Sequence, residues 1–148
     1  MIKSEMLEAI ENAKKTHLEQ MHIIASALKG KKVDHPPALS KKECECGAWF
    51  YADEATMKNI LGIQLFEKLD SHHEKWHQEY HHIYDLLFKE EKKTGLLSKI
   101  FKSDKIDELS LDKAKAYYRE LQSSTDELMK VADATYRRLM ALKESKFE

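Results

Sequence analysis

The sequence SHHEKWHQEYHH, residues 71–82, holds five of the chain's eight histidines. It lies within a run whose apolar and aromatic positions recur at three- and four-residue steps, which is the pattern of a helix with one buried face: Phe66, Leu69, His73, Trp76, Tyr80, Ile83 and Leu87. His73 is part of that face, and His77 lies one turn further along the same side. Two imidazoles at this spacing can bind one metal ion. We therefore predict that the fold is organised around a zinc ion bound at this pair.

The composition favours a single helical domain spanning residues 1–148. The chain contains only 4 glycines and 2 prolines and is rich in good helix formers. Its net charge is −1 with both signs mixed, which argues against nucleic-acid binding and against binding to anionic membranes. It has neither an apolar run of the roughly 20 residues that a membrane span needs nor a signal-peptide core. Membrane insertion is therefore not expected.

The cysteine content predicts a reducing compartment. Cys44 and Cys46 are the two thiols of the chain, and they lie only two residues apart. This separation is poor for a disulfide between them, so a disulfide framework is excluded. We expect a cytoplasmic protein.

Helix-forming stretches and breakers predict three long helices and a shorter one. We predict a first helix over 4–29 that stops at Gly30, a loop over 31–40 and a short cysteine segment over 41–51. A helical lead-in over 55–61 then leads to a histidine helix that ends near residue 93. After a break at Thr94-Gly95, we predict a connector with a turn at 97–101 and a closing helix over about 111–143. These elements add up to an all-α, antiparallel four-helix bundle that carries a short cysteine-containing segment.

A third histidine joins the pair on the histidine helix. His17 falls in the middle of the apolar stripe of the first helix, which comprises Leu7, Ile10, Lys14, His17, Met21, Ile24 and Leu28. Three imidazoles buried without partners would cost about 1–3 kcal/mol for each unsatisfied group. One zinc ion satisfies them together, and zinc favours mixed sites of imidazole and thiolate. The predicted metal ligands are His17, Cys44, His73 and His77.

Three other interpretations are open from the residues alone. Residues 73–77 read H-E-x-x-H, the zinc-protease signature with Glu74 as general base, but the Gly and third His of one large protease group are missing. The pairs Glu19/His22, Glu74/His77 and Glu79/His82 each resemble half of a di-iron carboxylate site that handles oxygen. In the third interpretation the histidines are solvated and the bundle is only structural. We place His22, His35, His72, His81 and His82 outside the zinc site. The residues leave one alternative open, in which His81 replaces His73 as the partner of His77.

The three motifs together resemble the family of chemoreceptor zinc-binding domains. That family carries a His in its first helix, then Cys-x-[Leu/Phe]-Gly-x-Trp, then His-x-x-x-His shortly after a Leu. Here the corresponding residues are His17, the stretch 44–49 (CECGAW), and Leu69 followed by His73 and His77. The resemblance covers about residues 10–90, and Cys46 replaces the usual bulky apolar residue.

The resemblance implies a non-enzymatic sensory or regulatory module of bacterial signalling, of the chemotaxis or cyclic-di-GMP type. It implies zinc bound by three imidazoles and the Cys44 thiolate, a homodimer, and a chemoreceptor or diguanylate cyclase acting as the partner in trans. We expect the signal to be either the zinc level or an oxidant that attacks Cys44, the one soft ligand of the set.

Overall fold

The computed structural model describes residues 1–89 and 107–148. Within these ranges the chain forms five α-helices and a final 3-10 turn, and it has no β-strand. The elements are α1 (Lys3–Leu28), α2 (Glu45–Phe50), α3 (Glu54–Leu61), α4 (Ile63–Leu87), α5 (Glu108–Ala141) and the 3-10 turn Glu144–Phe147. The predicted all-α class is confirmed for the described residues. No helix in these ranges has the length and apolar character that a bilayer span requires.

Local capping interactions fix the helix ends. Asp53 begins α3 by accepting a hydrogen bond from the Thr56 amide, and Asp107 begins α5 by accepting one from the Ser110 amide. α1 ends at Leu28, two residues before Gly30. Gly30 has a φ of +85°, a left-handed conformation that glycine adopts without steric cost. The predicted stop at Gly30 is therefore confirmed.

The predicted lead-in before the histidine helix does not continue into that helix. Gly62 has φ +84° and ψ 148°, a backbone conformation that is essentially restricted to glycine. Gly62 therefore ends α3 and separates it from α4. We missed the break because a single glycine inside a helical pattern is often tolerated.

The three long helices pack with α5 between the other two. α5 contacts both α4 and α1. It runs antiparallel to both, and on the α1 side Lys3 lies beside Met140 whereas Met21 lies beside Tyr118. Beside α4, Trp76 lies against Thr125, and His82 lies against Tyr117 further along. Beside α1, the Lys3 ammonium donates to the carbonyls of Met140 and Leu142 near the far end of α5. In both pairings, residue numbers rise along one helix as they fall along its neighbour.

The predicted count of four helices is not confirmed. The described residues contain three long and two short helices, and α2 packs against α1 while α3 packs against α4 and α5. The closing helix runs from Glu108 to Ala141, close to the predicted 111–143, and α4 ends at Leu87, before the predicted residue 93. The predicted break at Thr94-Gly95 and the turn at 97–101 lie outside the described residues.

The core stripe of α1 is rotated slightly from the predicted one. Met6 and Gln20 are buried, whereas Leu7, Lys14 and Leu28 of the predicted stripe are only half-buried. Lys14 lies at the edge because its ammonium makes a 2.6 Å ion pair with Asp133 of α5. His17 stays in the buried centre of the stripe, 2% exposed.

Candidate metal centre

The structure brings the four predicted donors together in the core. His17 from α1, Cys44 at the start of α2, and His73 and His77 from α4 are all buried, and their donor atoms lie within 4.8 Å of one another. The Nε2 atom of His73 lies 3.1 Å from that of His77 and 3.3 Å from the Cys44 Sγ atom. In a tetrahedral zinc site, bonds of about 2.0–2.3 Å place neighbouring donors roughly 3.3–3.7 Å apart. The distances from the His73 nitrogen to His77 and Cys44 are close to this spacing, and no two of the four donor atoms are more than 4.8 Å apart.

Each imidazole in this cluster uses its Nδ1–H group elsewhere. His17 donates to the Ala13 carbonyl at 2.9 Å, and His77 donates to the Leu39 carbonyl at 3.3 Å. The Nδ1 atom of His73 lies 3.3 Å from the Tyr51 hydroxyl, which itself donates to Asp70 at 2.5 Å. Tyr51 therefore accepts a hydrogen bond from His73. With all three protons on Nδ1, the three Nε2 lone pairs face the centre.

Lone pairs facing one another in a buried space repel unless a cation or a proton lies between them. The Nε2 atom of His17 is buried and has no hydrogen-bond partner. The Cys44 thiol has one proton, which can satisfy only one of the surrounding acceptors. Buried polar atoms without partners are rare in folded proteins, and a metal ion bound by the four donors would provide a partner for this nitrogen. The donor set and its protonation fit a bound metal ion.

The Cys44 sulfur is held by the short turn that precedes α2. The Gly47 amide donates to Sγ at 3.2 Å, and the Lys41 carbonyl lies 3.2 Å from Sγ on the other side. A Cβ atom on Gly47 would lie 1.7 Å from the Lys41 carbonyl oxygen, so no larger residue fits here without moving the turn. The close neighbour of Gly47 is therefore the backbone of this turn and not another helix.

Residues 37–51, which we call the covering segment, close the centre from outside. Besides supplying Cys44, this segment supplies the Leu39 carbonyl to His77 and the Pro37 carbonyl to the Tyr80 hydroxyl, at 2.8 Å. It also supplies Tyr51, which contacts His73. The segment is therefore attached to α4 at several points around the metal ligands.

Burial keeps the three histidines neutral at pH 7. Burial, and then the neighbouring His17 and His77 rings, lower the pKa of His73 to about 2. Burial and His17 lower the pKa of His77 to about 4, and burial lowers the pKa of His17 below its ordinary value. Neutral imidazoles are the form that binds metals, so the histidine ligands need no deprotonation before binding.

The Cys44 thiol differs, because burial raises its pKa above the ordinary value despite the hydrogen bond from the Gly47 amide. Without a metal ion Cys44 is therefore a protonated thiol. Metal binding must displace this proton, since the thiolate is the form that coordinates metals.

An ion pair between Lys41 and two carboxylates of α4 lies just outside the histidine pair. The Lys41 ammonium is 2.8 Å from an Asp70 carboxylate oxygen and 3.6 Å from a Glu74 oxygen. Burial alone would raise the pKa of Asp70, but hydrogen bonds from Lys41 and Tyr51 lower it overall. Asp70 is therefore ionised near neutral pH, and it accepts hydrogen bonds from both neighbours. Sequence reasoning missed Lys41, Tyr51 and Asp70, because only the path of the covering segment brings them together.

The carboxylates of the rival interpretations point away from the cluster. Glu74, the general base of the protease signature, is 51% exposed and pairs with Lys41. Glu19 is exposed beside Lys15, and Glu79 accepts a hydrogen bond from Ser124 of α5. The cluster of four donors contains no carboxylate. Within residues 1–89 and 107–148, it is the one group of three or more His, Cys, Asp or Glu side chains close enough together to bind a metal ion.

The remaining histidines lie outside the cluster, as predicted. His22, His35, His81 and His82 are exposed, and His72 is half-buried. His81 lies 3.2 Å from the Asp85 carboxylate, and the His82 ring stacks on Tyr117. The thiol of Cys46 is also separate from the four donors. Cys46 lines a cavity of about 30 Å³ beside His17 and His73, together with the α5 residue Met129.

Comparisons with protein-family models, with curated proteins and with solved structures gave no match to this chain. What the protein does must therefore be inferred from the four donors and their surroundings.

Proposed function

We propose that the protein is a zinc-binding sensory or regulatory module in which His17, Cys44, His73 and His77 hold one Zn²⁺ ion. The observation that carries this proposal is the convergence of three imidazole rings and one sulfur atom in a buried space, with the Nε2 atom of His17 left without a hydrogen-bond partner. Imidazole and thiolate in a tetrahedral arrangement are the ligands that zinc prefers, whereas di-iron sites need carboxylates.

A site with four protein ligands supports regulation better than catalysis. Catalytic zinc sites keep one position open for water or substrate, and structural sites are closed. All four donors here come from the chain, and the covering segment closes the centre from outside. We therefore propose that the protein is not an enzyme.

The two cysteines provide a matched test of the ligand set. We expect one zinc per chain in the purified protein. Cys44→Ala should weaken binding by two orders of magnitude or more, because it removes the only thiolate and leaves three neutral ligands. Cys46→Ala should leave the affinity within about threefold of wild type, because its sulfur lies outside the four-donor cluster. Competition with a chromogenic chelator measures both affinities. If Cys46→Ala abolishes binding while Cys44→Ala retains it, the ligand assignment is wrong.

Two inputs are compatible with this site: the zinc level and an oxidant. Zinc binding converts Cys44 from a protonated thiol into a thiolate, which is the form that oxidants attack. Hypochlorous acid would convert the thiolate into a sulfenic acid with release of chloride, which weakens the sulfur as a ligand. Oxidant sensitivity of Cys44 should therefore depend on whether zinc is bound.

We expect Cys44 to be oxidised faster in the zinc-loaded protein than in the metal-free protein. A mild excess of hypochlorous acid, followed by mass spectrometry of both cysteines and by chelator detection of free zinc, measures this difference. Cys46 serves as an internal control, because burial raises its pKa to about 12 and it lies beside the cavity, outside the donor cluster. Oxidation confined to methionines, with zinc retained, would reject the oxidant input and leave the zinc level as the signal.

The output is proposed from the family resemblance. Under that proposal the domain forms a homodimer and acts in the cytoplasm on a chemoreceptor or a diguanylate cyclase in trans. The covering segment supports a signalling role, because it joins Cys44 to the surface of the fold and would shift if the sulfur left the centre. Size-exclusion chromatography with light scattering, with and without zinc, tests the dimer.

A further inference from the structure

Of the three buried imidazoles, His73 alone has a side chain as the partner of its Nδ1 atom. His17 and His77 donate to the backbone carbonyls of Ala13 and Leu39, which can only accept a hydrogen bond. The partner of His73 is the Tyr51 hydroxyl, which can either donate or accept. The backbone carbonyls therefore fix the tautomers of His17 and His77, whereas the tautomer of His73 depends on whether Tyr51 donates or accepts.

Asp70 decides the direction of this hydrogen bond. Its carboxylate oxygen lies 2.5 Å from the Tyr51 oxygen and accepts a hydrogen bond from the hydroxyl, which leaves the lone pairs of the Tyr51 oxygen free to accept from His73. The Lys41 ammonium holds the same carboxylate oxygen at 2.8 Å. The rings of Tyr51 and His73 are nearly parallel, with 9° between their planes, and their centroids are 6.1 Å apart. The hydroxyl oxygen lies 3.3 Å from the Nδ1 atom of His73, within reach of a hydrogen bond between the two groups.

A competing arrangement is available in the metal-free centre. If the proton of His73 moved to Nε2, it could be donated to the Nε2 atom of His77, which is 3.1 Å away. This bond would satisfy both nitrogens without a metal ion and would remove one ligand lone pair. A site with that internal hydrogen bond must break it before it binds zinc.

We propose that Tyr51, oriented by Asp70, is a positioning residue that holds His73 in the tautomer with Nδ1 protonated and so keeps the zinc site open for its ion. This inference rests on the proposed zinc site. Second-sphere partners of metal-bound histidines commonly contribute about 10- to 100-fold to affinity, and the Tyr51 hydroxyl would do so by excluding the bond between His73 and His77.

The test compares two tyrosine-to-phenylalanine variants. Tyr51→Phe removes the acceptor of His73. Tyr80→Phe removes a hydroxyl that also bonds to the covering segment, at the Pro37 carbonyl, but that contacts none of the four donor atoms. Imidazole ¹⁵N shifts in the metal-free proteins report the tautomer of His73. Chelator competition reports zinc affinity, and the visible spectrum of the Co²⁺-substituted proteins shows whether the thiolate remains bound.

We expect Tyr51→Phe to shift His73 to the tautomer with Nε2 protonated and to weaken zinc binding about tenfold or more, with the Co²⁺–thiolate absorption retained. Tyr80→Phe should keep the wild-type tautomer. Unchanged protonation of His73 in Tyr51→Phe would overturn the proposal, even if affinity fell, because Tyr51 would then act through packing alone. An equal shift in Tyr80→Phe would also overturn it. A wild-type protein that binds no zinc would reject the proposed function, whereas the tautomer of the metal-free protein would still decide this inference.

Discussion

Loading the metal-free protein with zinc should stabilise the fold by on the order of 10 kcal/mol, the range found for structural zinc sites. The ion would join α1, the covering segment and α4, and it would provide a partner for the orphaned His17 nitrogen. The long helices also bury their own apolar stripes, with Trp76, Tyr80 and Ile83 at 0% exposure. We therefore expect the metal-free protein to remain largely helical but to unfold at a much lower temperature. Calorimetry and circular dichroism with and without zinc measure both effects.

A pair of histidine variants on one helix controls this experiment. His17→Ala should abolish most of the gain from zinc, because it removes a ligand. His22→Ala, at an exposed position of α1, should retain the full gain. Equal melting temperatures for the wild-type protein with and without zinc would show that the four donors do not form a structural metal site.

Acid should destabilise the metal-free protein strongly. The folded-state pKa values of His73 and His77 are lowered to about 2 and about 4, whereas an unfolded histidine titrates near its ordinary 6.5. Above pH 6.5 the histidines are neutral in both states, so their contribution to stability is constant. Below 6.5 the unfolded chain binds protons that the folded protein cannot, so stability falls as the pH decreases. The fall continues to about pH 4 for His77 and to about pH 2 for His73.

At pH 5 this linkage amounts to about 2 kcal/mol for each of these two histidines, since one pKa unit corresponds to about 1.4 kcal/mol. Urea unfolding of the metal-free protein at pH 7 and pH 5 measures the difference. The variant His73→Gln should show a shallower dependence on pH, while His35→Gln, at an exposed loop position, should match the wild type. The same dependence in all three proteins would mean that the buried histidines are not neutral in the folded state.

The donors were predictable because helical periodicity fixes the direction of a side chain. His73 shares a face with Phe66, Leu69, Trp76 and Tyr80, all of which are buried. The same logic placed His17 inside α1 even though the stripe is slightly rotated. The cysteine position followed from the motif that it shares with Gly47, and the structure gives that glycine a steric role.

The partners of the donors were not predictable, because they depend on the path of an irregular segment. Residues between α1 and α2 have no periodicity from which to infer that the Leu39 carbonyl meets His77 or that Lys41 meets Asp70. The contact of Tyr51 with Asp70 was not predictable either, since it depends on the turn around Gly47. The break at Gly62 was missed for a related reason: a positive φ angle leaves no mark in the hydrophobic pattern.

The fully buried Trp76 gives this protein an optical signal of its own. Its indole ring lies 5.0 Å from the His17 ring and 4.9 Å from the His77 ring, and its Nε1–H group is held by Thr125 of α5 at 2.8 Å. An indole in van der Waals contact with two imidazoles is sensitive to any change in their charge or orientation. In a Trp49→Phe variant, which leaves Trp76 as the one tryptophan of the chain, intrinsic fluorescence therefore offers a label-free way to follow, in real time, what happens at the histidine cluster.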